Sequence, residues 1–456
     1  METRPDLLSL PDDALLAVLA FLPARTLFAC RVACRRLRDL CLHRHLWRSV
    51  CVESLGVLRA ATAALVPCIG RISLDVPLRS TAALLKDTAC VVRALELAVQ
   101  NSQDAALAST LLSEVSAVGG ATELVLLIKC RRPNALQPLL KAVWDRRGLL
   151  TLDVTNNSRR PLPSDWCETV GVPSLTRLRY DSPSADPFLE LLLRTHAATL
   201  QHVELQRLED VPASLLAHAL QLRSLKCSPC EGLSQLVDLP DLSSIDLSHE
   251  GESNCHCLQA TAAFPRGTLA FLTEASHLRS VTLCVFTEDS EAPLRALSLS
   301  PSAANIENLV ALAHDQPESY LLGEIAPFLS SFRSLRTLIV EDEPVHEFLE
   351  AVSPAALPCL TTLKFCIHED SCMHGTLHTP GVHDLLIRNP RLHVYNFDLH
   401  VVCCGECPWC RWGCHEPLKG TANREVCYSS HSKSASCPEE CFQAFSPSYL
   451  PYPRNN

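Results

Sequence analysis

The sequence is short of glycine and of aromatic residues for its length. Of 456 residues, 15 are glycine and 5% are Phe, Trp or Tyr. The sequence shows no glycine-rich phosphate loop, nucleophile elbow or zincin motif. These absences favour a binding protein without a catalytic site of its own.

It also lacks a long apolar run and an excess of positive charge. No apolar run reaches the roughly 18 residues that a transmembrane helix needs. A net charge of -10 argues against nucleic acid or an anionic membrane as the main partner. The apolar block Ala14–Pro23 is short and follows Asp6, Asp12 and Asp13, unlike the core of a secretory signal. We predict no membrane span and no nucleic-acid site.

Cysteine, by contrast, is abundant, with 24 residues. Outside the C-terminal region the cysteines are scattered through periodic apolar segments, where a free cysteine behaves as a small hydrophobic residue. This favours a reducing compartment, so we expect a cytoplasmic or nuclear protein.

A short pattern, apolar-x-x-apolar-x-apolar, recurs through most of the chain. The mean period is about 27 residues, within the range of leucine-rich repeats, although single steps vary from 20 to 36 residues. The central apolar residues of the 13 copies are Ile72, Leu95, Leu124, Leu152, Leu178, Val203, Leu225, Ile245, Val281, Leu309, Leu338, Leu363 and Tyr395.

Each copy alternates like a half-buried strand, and helical patterns such as residues 186–199 lie between copies. We therefore predict an α/β fold: a leucine-rich repeat solenoid with a parallel sheet on its concave face and helices on its convex face. A doubly wound α/β domain is the alternative, but its strands are apolar throughout. Here polar residues occupy the strands, among them Arg177, Arg179, His202, Glu204, Arg223, Lys226, Ser244, Asp246, Arg336 and Lys364.

Residues 9–50 precede the repeats and do not share their pattern. Pro11, Asp12 and Asp13 suit the start of a helix. Leu15, Val18, Leu19 and Leu22 follow as one apolar stripe. Pro23 ends this helix, and two further helices are expected as far as Leu40. Three short helices form too small a core to be stable alone, so this segment needs a partner or a neighbouring domain.

The run "LPDDALLAVLAFLPARTLFACRVACRRLRDLCLHRHLW", which begins at Leu10, resembles the F-box family in the order and spacing of its motifs. Leu37 stands where many members have an aromatic residue. An F-box followed by leucine-rich repeats is typical of substrate receptors of SCF-type ubiquitin ligases. The resemblance implies an F-box that binds the Skp adaptor and, through it, a cullin-RING ligase, while the repeats recruit an unknown protein target for ubiquitination.

Carried over position by position, the resemblance implies a set of adaptor contacts. Some members of the set will instead belong to the internal core, and the sequence does not separate the two groups. The set is Leu10, Pro11, Leu15, Val18, Leu19, Leu22, Val32, Cys34 and Trp47.

The C-terminal region has a different composition. Residues 403–441 contain eight cysteines and two histidines. The spacing of Cys404, Cys407, Cys410 and Cys414 suits one zinc ion, and a second set could comprise Cys427, His431, Cys437 and Cys441. A lipidated, redox-active or disordered tail is the alternative. Apart from this zinc, the sequence gives no reason to expect a cofactor.

These interpretations divide the chain into five parts. They are an N-terminal tail (1–8), an F-box (9–50), a linker or capping helix (51–68), about 13 degenerate repeats (69–400) and a cysteine-rich tail (401–456). The leading hypothesis is a non-catalytic substrate receptor of a ubiquitin ligase. The alternatives are a leucine-rich repeat interaction scaffold with no role in ubiquitination and, less favoured, a secreted repeat protein.

Overall fold

The computed structural model describes most of the chain. The described residues are 7–86, 88–158, 160–167, 171–184, 186–208, 211–248, 264–285, 291–313, 323, 325–340, 345–366, 380–397, 426–431, 437 and 441–443. The chain divides into two compact units, Met1–Leu222 (unit 1) and Arg223–Asn456 (unit 2).

Unit 1 begins with a 3₁₀ turn, Leu7–Ser9, and four short helices: α1 (Asp12–Leu19), α2 (Ala24–Cys30), α3 (Arg35–Leu40) and α4 (Arg44–Trp47). The sequence predicted three helices here, the first of them ending at Pro23. Helix α2 starts after Pro23, whose φ of -65° fits the N-cap position. The next helix boundary lies at Cys34. The backbone of Cys34 is extended, and its sulfur caps helix α3.

The strands of unit 1 are β1 (Cys51–Val52), β2 (Cys68–Ile72), β3 (Val91–Val99), β4 (Glu123–Ile128), β5 (Thr151–Asn156), β6 (Arg177–Asp181) and β7 (His202–Gln206). Each strand pairs in parallel with the next one along the chain. Strand β1 does not show the repeat pattern and was not predicted.

The helices between these strands are α5 (Leu55–Ala63), α6 (Leu78–Leu85), α7 (Ser102–Ala117), α8 (Gln137–Trp144), α9 (Pro187–His196) and α10 (Ala213–Leu216), with a 3₁₀ turn at Pro133–Leu136. Helix α9 occupies the predicted helical segment, and its N-cap is Asp186, whose carboxylate accepts a hydrogen bond from the Leu189 amide.

The strands of unit 2 are β8 (Ser224–Lys226), β9 (Ser244–Leu247), β10 (Ser280–Val285), β11 (Asn308–Ala313), β12 (Thr337–Val340), β13 (Thr362–Cys366), β14 (His393–Phe397), β15 (Val426–Ser429) and β16 (Cys441–Gln443). Strands β8 to β14 pair in parallel. Strand β15 is antiparallel to β14, and β16 is parallel to β15.

The helices of unit 2 are α11 (Arg266–Glu274), α12 (Glu291–Leu299), α13 (His346–Ala351) and α14 (Pro380–Arg388). Short 3₁₀ turns complete it at Glu231–Leu236, Ala303–Asn305 and Ala326–Ser331.

The central residues of the repeats form one buried row within each unit. Leu152 lies opposite Leu178, and Leu309 lies opposite Leu338. The last copy differs from the prediction, because Leu363 lies opposite Val394 and not opposite Tyr395. The turn before β14 is one residue shorter than the pattern assumed, so Val394 takes the buried position and Tyr395 lies half-exposed.

Burial alternates along the strands, as in β4 and β5, where every second residue is buried. The helices pack against their neighbours in the sequence and against the buried side of the strands, as α7 does on β3, α6 and α8. The predicted fold class is therefore confirmed: a helical N-terminal region followed by parallel strands with intervening helices. The predicted domain boundaries and repeat count stay predictions.

Cys41 and Cys90 are buried and form no disulfide. Burial raises the pKa of Cys41 to about 11 and that of Cys90 to about 12, with smaller effects from neighbouring groups. These thiols stay protonated and act as small hydrophobic side chains. Within the described ranges, every helix is too short or too polar to cross a membrane.

Candidate functional site

Helix α1 has one buried side and one exposed side. Leu15 and Leu19 are 1% and 4% exposed, whereas Val18 is 44% exposed. The i, i+4 spacing of the two leucines places both in the core of the helical region. Val18 projects away from that core and is accessible to a partner.

Arg36 ties the segment before α1 to helix α3. Its guanidinium donates to the Leu8 and Leu10 carbonyls at 2.5 and 2.7 Å and to Asp12 Oδ1 at 2.5 to 2.9 Å. Arg36 thus bonds two carbonyls and one carboxylate of this segment. No residue of Leu7–Ser9 is buried, so these hydrogen bonds are important for its position. The 3₁₀ turn at Leu7–Ser9 is therefore held in place next to α1 and α3.

Trp47 is the centre of the helical core. It is fully buried, its Nε1 donates to the Cys41 carbonyl at 2.8 Å, and its ring lies 5.3 Å from that of Phe28. A buried indole with a satisfied N–H stabilises the packing of the four helices. The Trp47 side chain is therefore part of the internal core of the helical region.

The structure sorts the nine expected adaptor contacts by exposure. Leu15, Leu19 and Trp47 are buried; Leu10, Leu22 and Cys34 are partly buried; Pro11, Val18 and Val32 are exposed. The partly buried Cys34 also has a local role, because its Sγ accepts from the Leu37 amide at 3.4 Å. Direct contact with a partner is open to the last two groups.

Three further exposed apolar residues were absent from the expected set: Leu7, Leu8 and Phe21, which are 51%, 40% and 90% exposed. With Val18 and Val32, they are five of the twelve exposed large apolar side chains of the described residues, all within the first 32 positions. These five side chains are available for contact with another protein. The sequence could have identified Phe21 as exposed, because Phe21 does not fall on the apolar helical face that contains Leu15 and Leu22.

The helical region is fused to the first strands. The Arg71 and Ser73 amides donate to the Val50 and Val52 carbonyls, both at 3.0 Å. A Cβ at Gly70 would lie 2.5 Å from the Arg48 carbonyl oxygen, so only glycine permits this close approach. The region is thus in van der Waals contact with the sheet of unit 1 and shares its core.

A cleft of about 240 Å³ lies at this junction. Its walls include Leu19, Leu22, Leu27, Leu46, Cys51 and Glu53. Leu22 lines this cleft, and any contact it makes with a partner would involve this part of the molecule.

The exposed side of the unit 1 sheet is charged. Arg71 pairs with Glu96 at 2.9 Å and with Glu123 at 3.5 Å, and Arg93 also pairs with Glu123 at 2.9 Å. Further along, Arg179 lies between Asp153 and Glu204 at 3.5 and 3.6 Å. Because opposite charges alternate across neighbouring strands, much of the charge is compensated within the sheet. We call this surface the charged face.

Asp153 is the least satisfied member of the charged face. Burial raises its pKa, while the neighbouring Arg179 lowers it. Its Oδ1 is buried and has no hydrogen-bond partner among the described residues.

The corresponding side of the unit 2 sheet carries hydroxyl and amide groups. One row across the strands consists of Ser224, Ser244, Ser280, Asn308, Thr337, Thr362 and His393. The next exposed row begins with Lys226 and Asp246, which form an ion pair at 3.6 Å. It continues through the half-exposed Thr282, Val310 and Ile339 to Lys364, whose ammonium lies 4.6 Å from the centre of the Tyr395 ring. We call this surface the hydroxyl face.

The expected metal ligands Cys404, Cys407, Cys410 and Cys414 lie outside the described residues. Of the second predicted set, His431 and Cys437 lie close together, and His393 joins them from strand β14. Sequence reasoning missed His393 because it lies within a repeat, 38 positions before His431.

Comparison with known proteins identifies the N-terminal helical region. Residues 7–53 match the sequence model of the F-box-like family, so the chain carries an F-box-like domain. No match is found among the curated proteins.

Among the 56 matching chains of solved structures, two examples are each 12% identical to this chain. An internalin, inlF, from Listeria monocytogenes aligns over 60% of this chain and 72% of its own, with a TM-score of 0.29. The yeast Rad7 and Elc1 complex aligns over 82% of this chain and 92% of the matched chain, with a TM-score of 0.32. Scores of this size do not bear on function.

Proposed function

We propose that the protein is the substrate-recognition subunit of an SCF-type ubiquitin ligase. The observation that best supports this proposal is the F-box-like domain at residues 7–53, which has exposed apolar side chains. A Skp-type adaptor would cover Val18, Phe21 and Val32, taking this apolar surface out of water. Pro11 and the partly buried Leu10, Leu22 and Cys34 would complete the contact.

In this role the protein needs no chemistry of its own. The F-box-like domain shares a core with the first strands, so a bound adaptor would be held in a fixed orientation to the sheet of unit 1. A target protein on the exposed strand faces would then meet a ubiquitin-charged enzyme at high effective concentration. Proximity and orientation would account for the whole contribution of this subunit.

Adaptor binding is tested by co-purification of the full chain with the Skp adaptor. We expect the wild type to bind and the double variant Val18→Glu with Val32→Glu to lose at least about tenfold in affinity, since each carboxylate would be desolvated at the interface. Leu10→Ala with Pro11→Ala should also weaken binding. The matched control is Leu220→Glu, because Leu220 is 63% exposed but lies outside the domain.

Variants of the buried residues distinguish an effect on folding from an effect on adaptor contact. Leu15→Ala should destabilise the helical region by roughly 2 to 5 kcal/mol, and binding should fall only in proportion to the folded fraction. Circular dichroism of each variant gives that fraction. Failure of the wild type to bind, or unchanged binding in the double variant, would remove the basis of the proposal.

Targets would be recruited by the charged face, the hydroxyl face or both. Proximity labelling in cells, with and without proteasome inhibition, should reveal proteins that accumulate only when degradation is blocked. The Val18→Glu, Val32→Glu variant serves as the control, because it should still label these proteins but no longer promote their loss. If no labelled protein responds to the inhibitor, the chain does not direct degradation.

A second function has one observation in its favour. Helix α4 packs on strand β2, and the close approach at Gly70 fits helices that cap the first strand of a sheet. An interaction scaffold with such a cap would have no ligase role. It would bind its protein partners unchanged when the Skp adaptor is absent, and it would not co-purify with that adaptor.

A further inference from the structure

Two histidines and a cysteine meet at the last strands of unit 2. His393 starts strand β14, His431 follows strand β15, and Cys437 lies six residues further on. The antiparallel pairing of β14 with β15, with Val394 opposite Tyr428, brings His431 back beside His393. One ligand atom from each residue lies within 4.8 Å of the other two, and all three side chains are partly buried.

His431 is oriented as metal-binding histidines usually are. Its Nδ1 lies 2.9 Å from the Pro390 carbonyl oxygen. A carbonyl can only accept, so Nδ1 carries the proton and Nε2 presents a lone pair. A backbone carbonyl on the other ring nitrogen is the usual device that fixes the ring and its tautomer for a metal. The Nε2 atom lies 3.2 Å from Cys437 Sγ.

His393 supplies an independent indication. Its Nε2 is buried and has no hydrogen-bond partner among the described residues. Its ring lies edge-on to that of His431, with the centroids 5.0 Å apart. A buried ring nitrogen without a hydrogen-bond partner is destabilising. A cation shared with His431 and Cys437 would remove that cost.

We propose that His393, His431 and Cys437 bind one zinc ion through Nε2, Nε2 and Sγ. Two imidazoles with one thiolate form a ligand set that zinc accepts readily. Zinc–ligand distances of about 2.0 and 2.3 Å in a tetrahedron place a nitrogen and a sulfur ligand about 3.5 Å apart. The separation of 3.2 Å between His431 and Cys437 is close to this value, so small adjustments of the side chains suffice.

Binding converts the thiol of Cys437 to a thiolate, and its proton passes to the solvent. Three protein ligands leave a fourth position for water or for another side chain. The ion would join the His431 to Cys437 segment to strand β14 of the last repeat and so hold β15 on the edge of that strand. A covered edge no longer offers free backbone groups to another chain.

This site differs from the one expected at Cys404, Cys407, Cys410 and Cys414, and it does not depend on the ubiquitin-ligase role. The experiment therefore uses the full chain with these four cysteines changed to serine. After chelation and dialysis, zinc is returned and its stoichiometry is measured by mass spectrometry of the metal. Cobalt(II) is then substituted, because a thiolate ligand gives a charge-transfer band in the near ultraviolet.

In that background we expect one zinc per chain and a cobalt–thiolate band. His393→Gln and Cys437→Ser should each weaken zinc binding beyond the roughly 10- to 100-fold that loss of an outer-shell partner causes. Cys437→Ser should also abolish the band. The matched controls are His346→Gln and Cys359→Ser, since both residues are exposed in unit 2 and lie outside the cluster.

Folding of each variant is checked by circular dichroism, and the zinc-dependent rise in melting temperature gives a second readout. If His393→Gln does not fold, Cys437→Ser is used for the test instead. No zinc in the four-serine background, or unchanged zinc in both His393→Gln and Cys437→Ser, would overturn the proposal. The contact between His431 and Cys437 would then be a hydrogen bond from the thiol to Nε2.

Discussion

Unit 1 and unit 2 share a strand pattern but differ in the polar groups that they bury. The buried polar residues of unit 1 include the ionisable Arg146, Asp186 and His196. Those of the described part of unit 2 are neutral, for example Thr268 and Ser302. Packing determines which residues form the buried apolar row. A buried polar position, in contrast, can hold any side chain that forms hydrogen bonds with the nearby backbone groups.

One position shows the contrast directly. His196 and Ser302 each lie seven residues before the central residue of the following strand, Val203 or Leu309. His196 Nδ1 accepts from the Leu175 amide at 3.4 Å and from that of Ser174 at 3.1 Å. Ser302 Oγ accepts from the Leu278 amide, at the same repeat position as Leu175, at 3.1 Å. The same backbone N–H is thus satisfied by a titratable group in unit 1 and by a neutral one in unit 2.

The exposed faces repeat this difference. The difference is confined to one row, where unit 1 has Arg71 and Glu123 and unit 2 has serine, threonine and asparagine. Outside that row unit 2 has ion pairs of its own, Lys226 with Asp246 and Arg279 with Glu307. Units built on one pattern can therefore respond differently to pH and salt. Four predictions test this contrast.

The largest effect is expected for His196→Gln. Burial lowers the pKa of His196 to about 4, so the unfolded state takes up a proton first as the pH falls below about 6.5. The wild type should lose about 3 kcal/mol of stability from this group between pH 6.5 and 4, and the glutamine variant should not. Urea unfolding at pH 7.5 and pH 4.5 measures the difference, and an equal pH dependence of both proteins would contradict it.

Asp186→Asn should change the pH dependence in the opposite direction. Burial raises the pKa of Asp186 to about 6 despite the hydrogen bond from Tyr180, so the folded state takes up a proton first. This contribution is present below the unfolded pKa of about 3.8 and is lost as the pH rises through about 6. The wild type should gain up to about 3 kcal/mol over the variant as the pH falls through this range. A constant difference between the two proteins would show that the carboxyl group does not titrate there.

Ser302→Ala should cost about 2 kcal/mol, because it leaves the buried Leu278 amide and Ala275 carbonyl without their partner. The cost should be the same at pH 7.5 and pH 4.5, since neither partner titrates. Hydrogen exchange at the start of β10 localises the effect within unit 2. A pH-dependent cost would contradict the expectation that Ser302, unlike His196, contributes equally to stability at both pH values.

The smallest effect concerns the exposed faces. Glu123→Lys places a third cation beside Arg71 and Arg93 and should cost roughly 1 kcal/mol, a loss that 1 M salt reduces. Thr337→Lys, in the matching row of unit 2, has Asn308 and Thr362 as its neighbours across the strands. Its cost should be smaller and should vary little with salt. If the costs of the two substitutions depended equally on salt, the stability of the charged face would not differ in its electrostatics from that of the hydroxyl face.

Much of the fold could be predicted from the sequence because burial repeats along the chain. Twelve of the 13 central residues lie in the buried row, and the exception, Tyr395 instead of Val394, comes from a turn one residue shorter than expected. Strand β1 was missed because two residues carry no periodicity. The F-box segment was visible because its residues lie close together along the chain, and residues 7–53 match that family.

The site was less accessible to sequence reasoning. Leu15, Leu19, Val18 and Trp47 look alike as apolar letters, yet Val18 is exposed and the other three are buried. Whether an apolar residue faces its own core depends on how four helices pack, which one helical stripe does not specify. The pairing of His393 with His431 likewise depends on the antiparallel return of strand β15.

The sequence alone determined which residues form the buried rows, because a strand needs an apolar residue at every second position and the chain repeats that need about every 27 residues. It also indicated that residues 9–50 do not share the repeat pattern. Only the tertiary structure decided which apolar side chains of the F-box-like domain stay exposed and which histidines meet a cysteine. Contacts between residues distant in the chain depend on register and chain direction, and these are settled when the strands pair.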